Sequence, residues 1–74
     1  MILQVQDSTD KITTVVNVMM AEHEEGSNQI KIWDYCDNIA TVTTKNGNDA
    51  ERCVRSLYSS ERAQVEATIS WEDN

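Results

Sequence analysis

Three glutamates surround the only histidine of the chain, and these are residue types that bind metals or move protons. Glu22, Glu24 and Glu25 flank His23 in the segment AEHEEGSN, residues 21–28. Adjacent side chains point apart on both helices and strands, so at most two of the four could share one ion. No second histidine or paired cysteine completes a tetrahedral zinc shell. The pattern therefore predicts an acidic, solvated surface that holds no metal and no other cofactor.

The two cysteines are the remaining candidates for nucleophilic chemistry. Cys36 and Cys53 are far apart in the sequence, outside any CxxC spacing, and nothing in the pattern brings either of them beside His23. The chain contains no GxSxG or HExxH motif, and its two glycines cannot build a phosphate cradle. We therefore predict that the protein is not an enzyme.

The segment KIWDYCDN, residues 31–38, has the composition of a protein-binding hot spot. If Ile30 and Ile32 face the core, strand alternation places Trp33 and Tyr35 together on the opposite face of the sheet. Exposed aromatic rings are enriched at the centres of protein interfaces, and here Asp34 and Asp37 flank them. The alternative interpretation is that both rings cover the second face of the sheet or contact a twin subunit.

Acidic residues outnumber basic ones by 13 to 6, which gives a formal net charge of −7. Such a chain is repelled by phosphate backbones and anionic lipid, so we expect no direct contact with nucleic acid or membrane. No apolar run approaches the roughly 20 residues that span a bilayer, and the first residues lack the pattern of a signal peptide. We therefore expect a cytoplasmic protein that is attracted to basic surfaces.

The clearest element that could position these residues is a helix over residues 48–59. Its apolar stripe at helical spacing consists of Ala50, Cys53, Val54 and Leu57. Asn48 is the predicted N-cap, and Glu51 three residues later would complete a capping box.

Alternating or apolar stretches on both sides of this helix predict strands. QIKIWDY (29–35) and IATVTTK (39–45) read as neighbouring strands, and a first strand precedes the loop at residues 6–10. In QVEATISW (64–71), polar and apolar residues alternate throughout, so Trp71 is expected on the buried side of the last strand.

The segment KITTVVNVMMAEH, residues 11–23, is the ambiguous one. Five β-branched residues in a row, Ile12 through Val16, favour a strand, and EEGS would follow as a turn with Gly26 in the left-handed conformation. We predict one α+β domain over residues 1–74, with the order β-β-β-β-α-β: a two-layer, antiparallel sheet with one helix packed on one face. If residues 9–24 are helical instead, the order becomes the ferredoxin-like β-α-β-β-α-β.

These observations predict a non-enzymatic, acidic interaction protein that binds a basic, nucleic-acid-binding surface of a larger protein and inhibits it. The expected partner-binding residues are Glu22, Glu24, Glu25, Trp33, Asp34, Tyr35 and Asp37. In size, charge and architecture the chain resembles phage-encoded inhibitors of bacterial defence, among them anti-CRISPR proteins and other DNA mimics, which would place it in the cytoplasm of a host cell. The alternative is a small structural or regulatory module that acts as a homo-oligomer, such as a homodimer, or as a subunit of an assembly, because a core this thin is often completed by a partner subunit.

Overall fold

The computed structural model describes residues 1–72. Its elements in chain order are β1 (Ile2–Gln6), β2 (Thr13–His23), β3 (Gln29–Asp34), β4 (Ile39–Thr44), α1 (Gly47–Ser60) and β5 (Arg62–Trp71). The predicted α+β class is confirmed, since a five-stranded, mainly antiparallel sheet packs with one helix. Within these residues, no helix has the length and apolarity that crossing a membrane requires.

The ambiguous segment is a strand. Residues 13–23 form β2, so the order along the chain is the preferred β-β-β-β-α-β, and the ferredoxin-like alternative with a helix over residues 9–24 is wrong. β-Branched side chains lose rotamer freedom in a helix and pack well on a pleated sheet, which explains why the TTVV run decides the outcome.

The sheet differs from a purely antiparallel, two-layer arrangement because it closes into a barrel. β5 pairs in parallel with β1, while the other four pairings are antiparallel and follow the chain order. Closure is possible because each of the two longest strands pairs with one neighbour along its first half and with another along its second half. β2 pairs with β1 over residues 13–17 and with β3 from residue 18 onward, and β5 pairs with β1 over 62–66 and with β4 over 67–71.

A β-bulge in the middle of β2 resets which side chains face the core. The register shifts between Val18 and Met20, so one extra residue enters the strand at this point. As a result Val18 and Ala21 are both buried, whereas Met19 and Met20 remain 43% and 37% exposed. A strict period of two from Val18 would have buried Met20 instead.

Helix α1 presents the predicted stripe to the core, but its cap differs from the prediction. Ala50, Cys53 and Leu57 are buried, and Val54 packs partly buried against them. The N-cap is Asn46, whose side-chain oxygen accepts a hydrogen bond from the Asp49 amide at 2.9 Å. The capping box expected from Asn48 is therefore wrong, because the helix begins at Gly47, one residue before it.

The start of the helix packs directly against the β2–β3 turn. Gly26 adopts the predicted left-handed conformation (φ 84°), and the Ser27 amide donates to the Glu24 carbonyl at 3.0 Å. A Cβ atom at Gly47 would lie 2.9 Å from the carbonyl oxygen of Gly26, closer than real Cβ atoms come. Glycine at position 47 is therefore needed for this close approach of two backbones.

Tyr58 joins the C-terminal part of α1 to the sheet by hydrogen bonds. Its hydroxyl donates to the Ala21 carbonyl at 2.8 Å and accepts from the Ala21 amide at 3.0 Å. Ala21 lies in the half of β2 that has β3 on one side and no strand on the other. The tyrosine thus satisfies main-chain groups that would otherwise lack a strand partner.

The strand directions divide the barrel into two ends. β1, β3 and β5 run one way and β2 and β4 the other, so the connections alternate between the ends. We define the loop end as residues 7–12, 34–38 and 71–72. We define the helix end as residues 22–28 and 45–61, which include the β2–β3 turn and α1.

Candidate protein-binding surface

The loop end concentrates carboxylates with little compensating charge. It contains Asp7, Asp10, Asp34, Asp37 and Glu72, and its one basic residue is Lys11. The ion pairs formed within residues 1–72 involve none of these five carboxylates. Their charges are therefore available to an external partner.

The acids predicted to form one binding face are divided between the two ends. Glu22, Glu24 and Glu25 lie at the helix end, whereas Asp34 and Asp37 lie at the loop end. The length of β3, about 20 Å for six residues at roughly 3.3 Å each, separates Glu24 and Glu25 from Asp34. Glu22 pairs with Lys31, three residues before Asp34, so it lies about 10 Å from Asp34 along the strand. The structure therefore brings the two predicted aspartates together with each other but not with the three glutamates.

Asp34 organises the β3–β4 turn as well as carrying charge. One carboxylate oxygen accepts hydrogen bonds from the amides of Cys36 (2.8 Å) and Asn38 (2.9 Å). The other accepts from the Asn38 side-chain amide at 3.0 Å, and this bond is the main reason that the pKa of Asp34 lies below its ordinary value. The carboxylate is thus held in one position while it stays ionised.

The β1–β2 loop is organised by aspartates in the same way. The Asp7 carboxylate accepts from the Thr9 amide at 2.7 Å, and the Asp10 carboxylate accepts from the Ile12 amide at 3.0 Å. These two residues were not predicted as binding residues. The signal in the sequence was the DSTD pattern, because aspartate favours turns by bonding to amides two residues later.

Trp33 lies on the outer face of the sheet, as predicted from the alternation with the buried Ile32. It pairs across the strands with Met20 on β2 and Ile39 on β4, which forms an apolar row over three strands. The Lys31 ammonium lies 5.1 Å from the centre of the indole ring, a cation–π distance, and the ring is half-buried. Part of the ring is therefore already covered within the protein.

Tyr35 and Trp71 are the aromatic rings that the loop end presents to solvent. Tyr35 is 67% exposed and Trp71 is 40% exposed. Trp71 was expected in the core, and this expectation is wrong because the strand carries it beyond the buried layer to the rim. There it lines a shallow depression of about 230 Å³ with Asp34, Asn38 and Glu72. This aromatic and acidic combination joins two segments that are distant in sequence.

The helix end holds acids that are partly neutralised. Arg52 lies 3.8 Å from Asp49, and Arg55 lies 2.7 Å from Glu51, both on the exposed face of α1. Lys45 at the same end pairs with Glu66 of β5 at 3.5 Å. Half of the chain's six basic residues are thus engaged here.

His23 and the two cysteines, which were considered for chemistry, have separate environments in the structure. His23 Nε2 donates to the Ser27 carbonyl at 2.6 Å, which helps to close the β2–β3 turn. Cys36 is exposed at the loop end, so it lies at the opposite end of the barrel from His23. Burial against the core raises the pKa of the Cys53 thiol to about 11, which keeps it protonated near neutral pH. Among residues 1–72, no three His, Cys, Asp or Glu side chains are grouped to hold a metal ion.

Comparisons with protein-family models, with curated proteins and with solved structures find no match to this chain. Any proposal about its function therefore depends on its own surface chemistry.

Proposed function

We propose that this protein is a non-enzymatic, acidic interaction protein that inhibits a larger protein by occupying its basic, nucleic-acid-binding surface. The observation that carries the proposal is the loop end, where five carboxylates surround exposed aromatic rings and one lysine is the only base. In this proposal the carboxylates stand in for the phosphates of a nucleic acid, as the resemblance to DNA-mimic inhibitors implies.

The positions of the charges support this function. Asp7, Asp10 and Asp34 are each held by hydrogen bonds to loop amides, so their carboxylates are ordered before a partner arrives. Pre-ordered groups lose less conformational entropy on binding than mobile side chains do. A concentrated negative field also speeds the encounter with a positively charged surface and makes it sensitive to salt.

The aromatic rings supply the apolar contacts that charge alone does not provide. Tyr35 extends from the β3–β4 turn beside Asp34 and Asp37, and Trp71 lies at the end of β5. Tyrosine and tryptophan are the commonest energetic anchors of protein interfaces. The predicted residues Trp33, Glu22, Glu24 and Glu25 would take a smaller part, because they lie on the outer wall or at the helix end.

The test is capture of partners from a bacterial lysate on the immobilised protein, with two matched variants. The loop-end variant is Asp7→Asn, Asp10→Asn, Asp37→Asn and Glu72→Gln. The helix-end variant is Glu22→Gln, Glu24→Gln, Glu25→Gln and Glu61→Gln. Each removes four negative charges, and asparagine at positions 7 and 10 keeps an oxygen that can accept the loop hydrogen bonds.

We expect the captured protein to be released by added salt and by double-stranded DNA. We also expect the loop-end variant to lose at least about tenfold in affinity, equivalent to about 1.4 kcal/mol, while the helix-end variant changes by less than about threefold. Capture that is indifferent to salt and to DNA, or that falls equally in both variants, would contradict the proposal.

A different observation favours the second candidate, a module that acts as a homo-oligomer. Residues 12–21 carry no charged side chain, and within them Ile12 and Val15 are 62% and 64% exposed. An uncharged, apolar surface on an otherwise acidic protein fits contact with a second copy better than contact with a basic partner.

A further inference from the structure

We propose that the outer edge of β2 at Thr13–Val15 pairs with the same edge of a second copy of this chain, in an antiparallel arrangement about a twofold axis at Thr14. This proposal rests on the second candidate function, the homo-oligomer, and is independent of the charge-based function, because it uses different residues and a different kind of contact.

The first support is the direction of the main-chain groups along this half of β2. Hydrogen bonds join Asp7 to Ile12 (3.0 Å) and Met1 to Val18 (2.7 and 3.0 Å) across the β1–β2 ladder. In an antiparallel ladder, every second residue of a strand exchanges hydrogen bonds with its neighbour. From residue 12 to residue 18, the even-numbered residues of β2 therefore bond to β1, and the odd-numbered residues point their amides and carbonyls away from β1. Thr13 and Val15 are two of these residues.

The second support is that no strand meets these groups. β3 pairs with β2 only from Val18 onward, so the side of β2 opposite β1 has no strand partner at Thr13 and Val15. Within residues 1–72, no hydrogen bond to the main-chain groups of these two residues is found on that side. An edge of this kind is a template for another strand.

The third support is the side-chain chemistry, which points to a second copy as the occupant. Natural edge strands are protected by lysine, proline, inward-pointing charge or a β-bulge, and residues 13–15 contain none of these, since the bulge of β2 lies at Met19. Two copies each carry a net charge of −7 and repel one another, so an uncharged segment is where they can approach at the lowest cost.

The twofold arrangement fixes which residues of the two copies face each other. Antiparallel pairing about Thr14 places residue 10 of one copy opposite residue 18 of the other, where Asp34 of β3 begins the β2–β3 pairing, so the two acidic loop ends approach each other beyond the paired residues. Thr13 of each copy then lies opposite Val15 of the other, and the two pairs exchange four main-chain hydrogen bonds. Threonine and valine are both well suited to such cross-strand neighbours.

The test is analytical ultracentrifugation of the full chain over roughly 10 µM to 1 mM, the range of weak interfaces. We expect a reversible monomer–dimer equilibrium, with a dimer of twice the 8.4 kDa monomer. Added sodium chloride should strengthen the dimer, because it screens repulsion between two negative subunits. The same salt should weaken binding to a basic partner, so the two proposals can fail separately.

Two variants of Val15 target the edge without touching the β1–β2 ladder. Val15→Pro removes an amide that points away from β1, which is where an edge strand tolerates proline. Val15→Lys places a charge at a position that is already 64% exposed. The matched control is Thr68→Lys, an equally β-branched and exposed position whose strand neighbour on β4 is Thr43.

We expect both Val15 variants to weaken dimerisation at least about tenfold and Thr68→Lys to leave it within about twofold. Circular dichroism checks that each variant is folded. Amide hydrogen exchange of the unmodified chain gives a second readout, since the Thr13 and Val15 amides should gain protection as the concentration rises. A chain that stays monomeric at 1 mM, amides that exchange equally fast at all concentrations, or an equal loss in the control variant would each overturn the proposal.

Discussion

Acidic residues crowd both ends of the barrel, but the two ends differ in what surrounds them. At the helix end Lys45, Arg52 and Arg55 each lie within ion-pair distance of a carboxylate. At the loop end the carboxylates bond to amides of their own loops, and the described residues offer them no ion-pair partner.

Both ends present charge, since four glutamates of the helix end also form no ion pair within residues 1–72, but only the helix end also holds the fold together. The helix end contains the buried stripe of α1, the Tyr58 hydroxyl bonds and the close contact of two glycine backbones. The loop end contributes no such packing, and its hydrogen bonds are local to each turn. Substitutions at the helix end should therefore change stability, whereas those at the loop end should change binding.

The largest effect is expected from Leu57→Ala. Leu57 is fully buried in the core, and truncating a buried leucine to alanine leaves a cavity that costs about 2–5 kcal/mol of unfolding free energy. Urea denaturation followed by circular dichroism measures the loss, with Tyr35→Ala at the loop end as the comparison, expected within about 0.5 kcal/mol. A loss below about 1 kcal/mol for Leu57→Ala would mean that the helix end does not anchor the fold.

Replacing a tyrosine by phenylalanine at each end of the barrel compares the contributions of the two ends to stability. Tyr58→Phe removes the hydroxyl that satisfies both main-chain groups of Ala21, so we expect a loss of about 1–3 kcal/mol. Tyr35→Phe removes a hydroxyl from an exposed ring and should leave stability unchanged. The difference between the two in thermal denaturation isolates the effect of position, and equal losses would contradict our interpretation of the Tyr58 contact.

Lowering the pH should reveal the smaller contribution of the loop end to the stability of the fold. The pKa of Asp34 is lowered in the folded protein, mainly by the Asn38 side chain. Its ionised form therefore stabilises the fold above the ordinary carboxyl pKa, and this contribution is lost as the pH falls through the lowered value. The Asp34→Asn variant should be less stable than the unmodified chain at pH 7, by less than Tyr58→Phe.

The difference between Asp34→Asn and the unmodified chain should shrink when both are unfolded in urea at a pH below the ordinary carboxyl range. A gap that stays constant with pH would show that the carboxylate charge plays no part in holding the turn. The control is Asp37→Asn, since within residues 1–72 no hydrogen bond to the Asp37 carboxylate is found.

The smallest effect is expected at the exposed ion pairs of the helix. Glu51→Gln breaks the contact with Arg55, whose side chain is 74% exposed, and such pairs contribute about 0.3–0.5 kcal/mol. Chemical denaturation at low and high salt should show a small loss that salt removes. A loss above about 1 kcal/mol would indicate that these pairs do more than neutralise charge.

Much of the local structure could be predicted from the residues. The i, i+3, i+4, i+7 stripe of α1, the alternation of β5 and the left-handed Gly26 all reflect periodicity or conformational preference within a few neighbouring positions. The observed N-cap lies two residues before the predicted one, because Asn46 and Asn48 are chemically equal candidates that the local pattern does not distinguish.

The candidate site was predicted only in part. Asp34, Tyr35 and Asp37 share one turn in the sequence and remain together in the structure. Asp7, Asp10 and Trp71 join them through barrel closure, which no local pattern indicates. The bulge at Met19 could not be predicted from a local pattern either, since it depends on the register between β2 and β3.

By itself, the sequence determined the helix with its buried stripe, the alternation of the last strand and the surplus of negative charge. These properties depend on side-chain size, polarity and spacing along a short stretch of chain. Only the tertiary structure decided that β5 meets β1, that the acids divide between two ends, and that the edge of β2 is left without a neighbour. Those outcomes depend on hydrogen bonds between residues as distant as Ile2 and Glu61, whose pairing is set by the packing of the whole core.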